Sequence, residues 1–435
     1  MKKLVFYWKE LLATFWFLPI LIICLAIVLS IVLVKFDNFI SISEDQWIHF
    51  FLVNDSNSAR SILSTISGAM IGVAGTVFSV TLVALTLASS QFGPRLIKNF
   101  MYIRLNQIVL GSYIATYLYC LLVLSSIKDT DGYSFIPSFS ILLAIFAAIA
   151  NIILLIIFIH NIAVSIQADR VVSDISDFIG KQLEDRYPEK IDEGEKLIKE
   201  PNINSITSAY SSQISIKAPS SGYLQYISSD ALVNLASEQD SILIIHHRAG
   251  NYLVSKIEIA ELYCNSKWEQ EKIDMLVDQF VIGKTKTPQQ DLEYSIHQMV
   301  EIALRALSPG INDPYSAIAC IDNLSSAMSY LAQAKFPSKY KYDDENNLRL
   351  IIKTLNFEGL LDKSFNQIRQ FAAGNTSVII RLIEALTTIQ YFVKTNKQKE
   401  AIVKHTKMIL SCGEQSINEK NDLEVIKEKA KTLLA

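Results

Sequence analysis

The sequence predicts a multi-pass α-helical membrane protein in which four transmembrane helices precede a cytoplasmic α+β region. Four stretches in the first 169 residues are apolar and long enough to cross a bilayer, which takes about 20 residues. Charge is distributed unevenly, since residues 1–169 hold 9 of the 40 Lys and Arg and 8 of the 43 Asp and Glu. Residues 1–169 are therefore the predicted transmembrane domain, and the rest has the charge density of a soluble domain.

The predicted spans cover about residues 11–34, 61–92, 108–125 and 136–164. The first is too long for the core of a signal peptide, so we expect it to be retained in the membrane. No Asp, Glu, Lys or Arg lies inside any of these spans. This weighs against a proton relay or a charge-coupled transporter, because such proteins usually keep an ionisable group within the membrane.

Basic residues beside the spans predict the orientation of the chain. They precede the first span and separate the second from the third: Lys2, Lys3, Lys9, Arg95, Lys98 and Arg104. Because positive charge stays in the cytoplasm, both termini are predicted to be cytoplasmic. The formal net charge is only −3, so no basic surface predicts a nucleic-acid partner.

The second span carries a stripe of small and hydroxylated residues. They recur at steps of three, four or seven and so share one face of a helix: Ser61, Thr65, Gly68, Gly72, Gly75, Ser79, Thr86 and Ser90. Small residues let helices pack closely, and Gly68 and Gly72 form a G-x-x-x-G pattern. Helix packing and a water-filled path both fit this stripe. In either case we expect the stripe to meet protein or water rather than lipid tails.

Three parts are predicted after the spans. Residues 170–211 form a helical stem and a linker. Residues 212–262 contain short strand-like runs between glycine turns, which predicts a small β-barrel-like module. Residues 267–435 have a helical period throughout, which predicts a helical cytoplasmic domain, with a capping box opening a helix at Thr287 and another helix over 345–355.

Turn-forming residues separate two of these predicted helices: Pro309, Gly310, Asn312, Asp313 and Pro314. Such a succession forces a sharp and rigid turn. Asp313 can cap the second helix, whose N-terminus attracts anions. We interpret the segment as structural punctuation, with a ligand or inter-subunit contact as the alternative.

No pattern predicts catalysis, a bound metal or a cofactor. The sequence has neither a nucleophile elbow nor a zinc-protease motif. The five cysteines are too scattered for a metal motif: Cys24, Cys120, Cys264, Cys320 and Cys412. Lone cysteines of this kind are typical of ordinary core positions in a reduced compartment. We therefore expect no enzymatic activity and no cofactor.

Two groups of possible metal ligands favour structural interpretations. His246 and His247 fall on a predicted strand, where neighbours point to opposite faces and cannot easily chelate one ion together. A row at steps of four along one helix fits either a metal site or a surface charge ladder: Glu293, His297, Glu301 and Arg305. The terminal arginine favours the ladder, because opposite charges four residues apart stabilise exposed helices.

Three segments resemble a known family: Gly72–Arg95, Ser221–Gln225 and Ala306–Pro314. Together they resemble the bacterial predicted membrane proteins grouped as domain-of-unknown-function family 2254, over about residues 5–410. The resemblance implies a multi-pass membrane protein with a cytoplasmic C-terminal domain, here expected in the bacterial inner membrane. It implies no reaction, ligand or catalytic residue.

These observations predict a homo-oligomeric channel or channel-like transporter with a cytoplasmic regulatory or assembly domain. The alternative is a non-conducting, membrane-anchored sensor or scaffold that binds a cytoplasmic partner. A membrane-bound enzyme is the weakest hypothesis. The predicted partners are the lipid bilayer and further copies of the chain, while the permeant ion or small ligand is left open.

Overall fold

A computed structural model of the chain describes residues 11–12, 14–39, 53, 55–93, 104–130, 133–165, 167–191 and 201–434. The chain divides into two compact units, Met1–Arg170 and Val171–Ala435. Most basic residues that predict the orientation lie outside the described residues: Lys2, Lys3, Lys9, Arg95 and Lys98. Residue 13 of the first predicted span and residues 192–200 of the stem and linker also lie outside them.

Four described helices of the first unit are long and apolar enough to cross a membrane. They are α1 (Phe17–Asp37), α2 (Ser56–Phe92), α3 (Arg104–Ser126) and α4 (Ser138–Ser165). An antiparallel hairpin of β1 (Lys128–Thr130) and β2 (Tyr133–Phe135) separates α3 from α4. This confirms the prediction of four apolar helices. Helix α2 begins before the predicted boundary, because the Asp55 carboxylate caps it by accepting the Ser58 N–H at 2.8 Å.

Helix α3 lies against the other three helices of this unit. Its buried side chains include Val109, Tyr113 and Val123. Gly111 marks the closest approach to α1, since a Cβ atom at this position would lie 2.9 Å from the Pro19 Cα. A glycine is required there because any larger side chain would push the two helices apart.

A buried polar network joins α3 to α4. The Asn151 side chain donates to Thr116 Oγ1 at 2.8 Å and accepts the Ser112 hydroxyl at 2.7 Å. The Tyr113 hydroxyl donates to the Asn151 carbonyl at 2.6 Å. These bonds hold the two helices in one register, because an unpaired amide inside the apolar unit would be costly.

Asp37, the last residue of α1, caps the N-terminus of α4. Its carboxylate accepts the backbone N–H groups of Phe139 at 2.9 Å and Ser140 at 3.0 Å. The Ser140 hydroxyl adds a third bond of 2.6 Å. A negative charge at a helix N-terminus is favourable both as a hydrogen-bond acceptor and against the helix dipole.

The second unit contains eight described strands: β3 (Ser212–Lys217), β4 (Gly222–Ile227), β5 (Ile242–Ile245), β6 (Tyr252–Leu253), β7 (Glu258–Cys264), β8 (Phe280–Gly283), β9 (Tyr340–Tyr342) and β10 (Leu348–Ile351). They form a five-stranded sheet in the order β3-β7-β5-β10-β9 and a three-stranded sheet in the order β6-β4-β8. Apolar side chains from both sheets share one core, including Leu224, Leu243, Leu262 and Leu350.

The predicted β-barrel-like module is wrong, because neither described sheet closes on itself. The larger sheet is completed by β10, which pairs in parallel with β5 and places Leu350 opposite Leu243. Residues beyond 267 were predicted to be helical, but they supply β8, β9 and β10. Strand β10 lies where a helix over 345–355 was predicted. Its pairing with β5 and β9 shows that tertiary contacts override the local helical period.

The described helices of the second unit are α5 (Ala168–Arg186), which begins at the end of the first unit, α6 (Ile203–Thr207), α7 (Ser229–Glu238), α8 (Gln270–Val277), α9 (Leu292–Ala306), α10 (Pro314–Gln333), α11 (Phe357–Phe371), α12 (Thr376–Gln390), α13 (Asn396–Ser416) and α14 (Lys420–Leu434). Helix α9 does not open with the capping box predicted at Thr287. Its N-cap is Asp291, whose carboxylate accepts the Tyr294 N–H at 3.2 Å.

The polar network predicts a difference between two Thr→Val substitutions. Thr116→Val removes the acceptor of the buried Asn151 amide and should lower the free energy of unfolding in detergent by about 1 kcal/mol. In Thr86→Val the lost hydroxyl donates only to its own helix, at the Leu82 carbonyl, so the change should stay within about 0.5 kcal/mol. Denaturant unfolding of both purified variants measures this, and equal destabilisation would contradict the network's role.

Candidate functional site

The stripe of α2 lies on the outer face of this helix. All eight residues are exposed: Ser61, Thr65, Gly68, Gly72, Gly75, Ser79, Thr86 and Ser90. The opposite face is buried within the unit and includes Leu63, Met70, Ala74, Val77 and Thr81. The 3.6-residue period puts these two sets about half a turn apart. Helix α2 therefore packs through its apolar face and leaves the stripe uncovered.

The glycines of the stripe have open space beside them. A Cβ atom built on Gly68, Gly72 or Gly75 would meet no other heavy atom within 4 Å, apart from neighbouring residues and the local helix backbone. Among the described residues of one copy, the stripe glycines therefore serve no helix packing. Contact with another copy and a water-filled path both fit this geometry.

Three of the five hydroxyl groups of the stripe donate to the backbone of their own helix. Ser79 Oγ bonds the Gly75 carbonyl at 2.9 Å, Thr86 Oγ1 bonds the Leu82 carbonyl at 2.9 Å, and Ser90 Oγ bonds the Leu87 carbonyl at 2.8 Å. Each proton is thus used locally, and the oxygen lone pairs are what the groups offer to their surroundings. At these three positions the stripe therefore offers weak acceptors.

The turn between α9 and α10 is exposed from Pro309 to Asn312. Asn312 has a positive φ of 50°, a conformation that Asn tolerates better than most residues. Asp313 is the N-cap of α10, accepting the Ser316 N–H at 3.2 Å and its hydroxyl at 2.5 Å, and Pro314 begins the helix. Gly310 has no positive φ and has open space around its Cα. These contacts explain the segment as a structural turn that ends α9 and begins α10.

The helical row that resembled a surface ladder is partly buried. Glu293 is 9% exposed, and its carboxylate pairs with the Arg248 guanidinium at 2.7 Å. His297, Glu301 and Arg305 are half-buried. The interpretation as an exposed charge ladder is therefore wrong for Glu293, because α9 packs this side chain against the loop after β5.

A buried carboxylate lies beside this ion pair. Asp291 is 2% exposed, and its Oδ2 atom has no hydrogen-bond partner among the described residues. Burial raises the pKa of Asp291, while the nearby Lys286 opposes the shift. The carboxylate packs directly on Gly250, where a Cβ atom would overlap it and where φ is +92°. The sequence gives no local sign of this contact between residues 41 positions apart.

A groove of about 390 Å³ lies beside α10 and α12. It contains Asp322, Arg381 and Glu384, with Arg381 bonding Asp322 at 2.7 Å and Glu384 at 3.1 Å. Ser329 also lines the groove, and its hydroxyl is buried without a hydrogen-bond partner in the described part of the chain. The groove therefore has a lining of paired charges.

One group of described side chains brings metal-binding atoms together. Ligand atoms of His246, Glu258 and Glu261 all lie within 4.8 Å of one another. His247 is not in this group, and burial lowers its pKa. Sequence reasoning missed the group because Glu258 and Glu261 are three residues apart, a spacing that points to opposite faces of a regular strand.

The contact between Gly250 and Asp291 predicts the outcome of a matched pair of substitutions. Gly250→Ala should lower the free energy of unfolding by about 2 kcal/mol or more, because it combines a left-handed backbone with overlap onto a buried carboxylate. Gly310→Ala has space and no positive φ, so its effect should stay within about 0.5 kcal/mol. Thermal or denaturant unfolding of the full chain compares them, and a neutral Gly250→Ala would contradict the packing described.

Comparison with known proteins agrees with the resemblance noted from the motifs. The chain is 28% identical over 373 residues to an uncharacterized protein of Mycobacterium bovis, which covers 84% of this chain and 70% of the relative. An uncharacterized protein of Mycobacterium tuberculosis matches with the same identity and coverage. No solved structure matches the chain. Residues 13–388 match the family model described as "Predicted membrane protein (DUF2254)", and the chain therefore belongs to that family.

Proposed function

We propose that the protein is a homo-oligomeric channel or channel-like transporter of the bacterial inner membrane, with both termini cytoplasmic. In this proposal the α2 stripes of several copies face a shared axis. The observation that carries it is the exposure of the whole stripe on a helix whose opposite face is buried within the chain. The soluble unit then assembles or regulates the pore.

Other exposed faces of the first unit differ from the stripe. Helix α1 exposes large aliphatic side chains such as Leu25, Val28 and Val32, and α4 exposes Ile152 and Ile156. Such faces suit lipid tails. A row of glycines and hydroxyls gains little from lipid, whereas it permits close helix approach or contact with water. The contrast supports a protein or water environment for the stripe.

Bulky apolar residues border the stripe along α2. Phe78 and Leu82 are exposed on one side of it, and Val83 and Leu87 on the other. In a ring of copies these flanks would pack against neighbouring subunits and exclude lipid, while the stripe faces the axis. Because the hydroxyls of Ser79, Thr86 and Ser90 donate to their own backbone, they present acceptor lone pairs to a permeant species. We therefore expect small cations to be favoured over anions.

The proposal predicts that larger side chains on the stripe block the flow of ions. Gly72→Leu and Gly75→Leu should each lower ion flux into proteoliposomes by about tenfold or more, because pore diameter limits conduction. Ala150→Leu is the matched control, since Ala150 is a small exposed residue on α4, and it should leave flux unchanged. Oligomers that are intact but silent to all common ions, or equal losses in the three variants, would contradict the proposal.

The second candidate is a non-conducting, membrane-anchored sensor or scaffold. The groove beside α10 and α12 favours it, because Asp322, Arg381 and Glu384 give the groove a charged lining. In that case the stripe would only join copies of the chain, and the groove would take a small polar ligand. Absence of flux together with oligomerisation through the stripe would favour this candidate. We assign no enzymatic reaction under either of these two candidate functions.

A further inference from the structure

An irregularity in β7 places two glutamates on the same face of the five-stranded sheet. Ile216 of β3 pairs with Ala260 and Lys217 pairs with Glu258, so that Ile259 is an extra residue on β7. Such a bulge changes the face of the sheet to which the preceding side chain points. Glu258 therefore joins Glu261 on one face, although a separation of three residues would normally set them on opposite faces.

His246 reaches the same place from the neighbouring strand. The pairing of β5 with β7 sets Ile244 opposite Glu261, and the His246 N–H continues this pairing by donating to the Ile259 carbonyl at 3.0 Å. Since His246 is two residues after Ile244, both point to the same face. The His246 Nε2 atom lies 3.6 Å from Glu258 Oε1 and 3.5 Å from Glu261 Oε1.

Hydroxyl groups from outside the trio orient both carboxylates. Glu258 Oε2 accepts the Ser215 hydroxyl, and Glu261 Oε2 accepts the Tyr263 hydroxyl at 2.7 Å. Each glutamate thus directs its other oxygen, Oε1, towards the imidazole. Outer hydrogen bonds of this kind are what metal sites use to fix their ligands.

We propose that His246, Glu258 and Glu261 bind a divalent transition-metal ion, with Zn²⁺ as the reference ion. Two ligand atoms on one tetrahedral Zn²⁺ lie about 3.4 Å apart, since each metal–ligand bond is about 2.0–2.2 Å long. The two separations from the His246 Nε2 atom, 3.5 and 3.6 Å, are close to this value, and the ligand atoms of the two glutamates lie within 4.8 Å of each other. One imidazole with two carboxylates is a donor set that suits Zn²⁺ better than Ca²⁺, which takes oxygen ligands.

The three side chains are partly accessible, with exposures of 33% for His246, 40% for Glu258 and 23% for Glu261. An ion can therefore enter from solvent, and a fourth position is left for water or another ligand. The competing explanation is a plain ion pair between a protonated imidazole and the glutamates. In such an ion pair the single positive charge of the imidazole would balance only one of the two carboxylates. A divalent ion would balance both. The site belongs to the second unit and does not depend on conduction.

Metal binding by the full-length chain tests the proposal. Tag-free protein in detergent is stripped with a chelator, dialysed against buffered Zn²⁺ and assayed for bound zinc. We expect one Zn²⁺ per chain. His246→Asn, Glu258→Gln and Glu261→Gln should each weaken binding by at least about tenfold, and Tyr263→Phe should weaken it by about tenfold through the outer hydrogen bond. Glu271→Gln, an exposed control on α8, should bind as the unaltered chain does.

X-ray absorption on the zinc-loaded unaltered chain gives a second test that does not require any variant to fold. The expected spectrum has nitrogen and oxygen ligands with a single imidazole contribution. Sulfur ligation would show that a cysteine holds the ion and would overturn the proposal. Equal zinc content in the unaltered chain and in the triple variant of His246, Glu258 and Glu261 would overturn it as well, and would leave these residues as an ion-pair cluster.

Discussion

Each face of a helix in a bilayer must meet material that suits its side chains, and α2 has two faces with opposite requirements. Its apolar face is buried through residues such as Leu63, Met70 and Val77. Its other face, the stripe, has open space beside Gly68, Gly72 and Gly75. What fills that space determines whether copies assemble and whether a path forms between them. The proposed function therefore depends on the surroundings of this one helical face.

Hydropathy predicts the helices of the first unit, whereas the polar contacts between these helices could not be predicted from the sequence. Long runs of apolar residues locate all four helices, and steps of three and four locate the stripe. The buried bonds among Ser112, Thr116 and Asn151 left no trace in the sequence, because isolated polar residues on two different helices form no local pattern. Asp37 is another example, since its role at the N-terminus of α4 exists only once α1 and α4 are packed.

The second unit shows the same limit in its sheets. Local residue types locate the turn at Asp313 and the strands near residues 212–262, because caps and turns depend on neighbours in the sequence. Strand β10 pairs with β5 from about a hundred residues away, and this pairing replaced the helix that its own segment favoured. The bulge at Ile259 was equally unpredictable. Without it Glu258 would point away from His246, and the proposed metal site would not exist.

Distances between copies of the chain test the central claim most directly. Spin labels are attached to the new cysteine of Gly72→Cys or Ala150→Cys in a background without other cysteines. Pulsed electron paramagnetic resonance then measures the distance between labels on different copies in lipid nanodiscs. If the stripes face a shared axis, the labels at position 72 give a shorter and better-defined distance than those at position 150. A single copy per disc, or a shorter distance at position 150, would contradict the account.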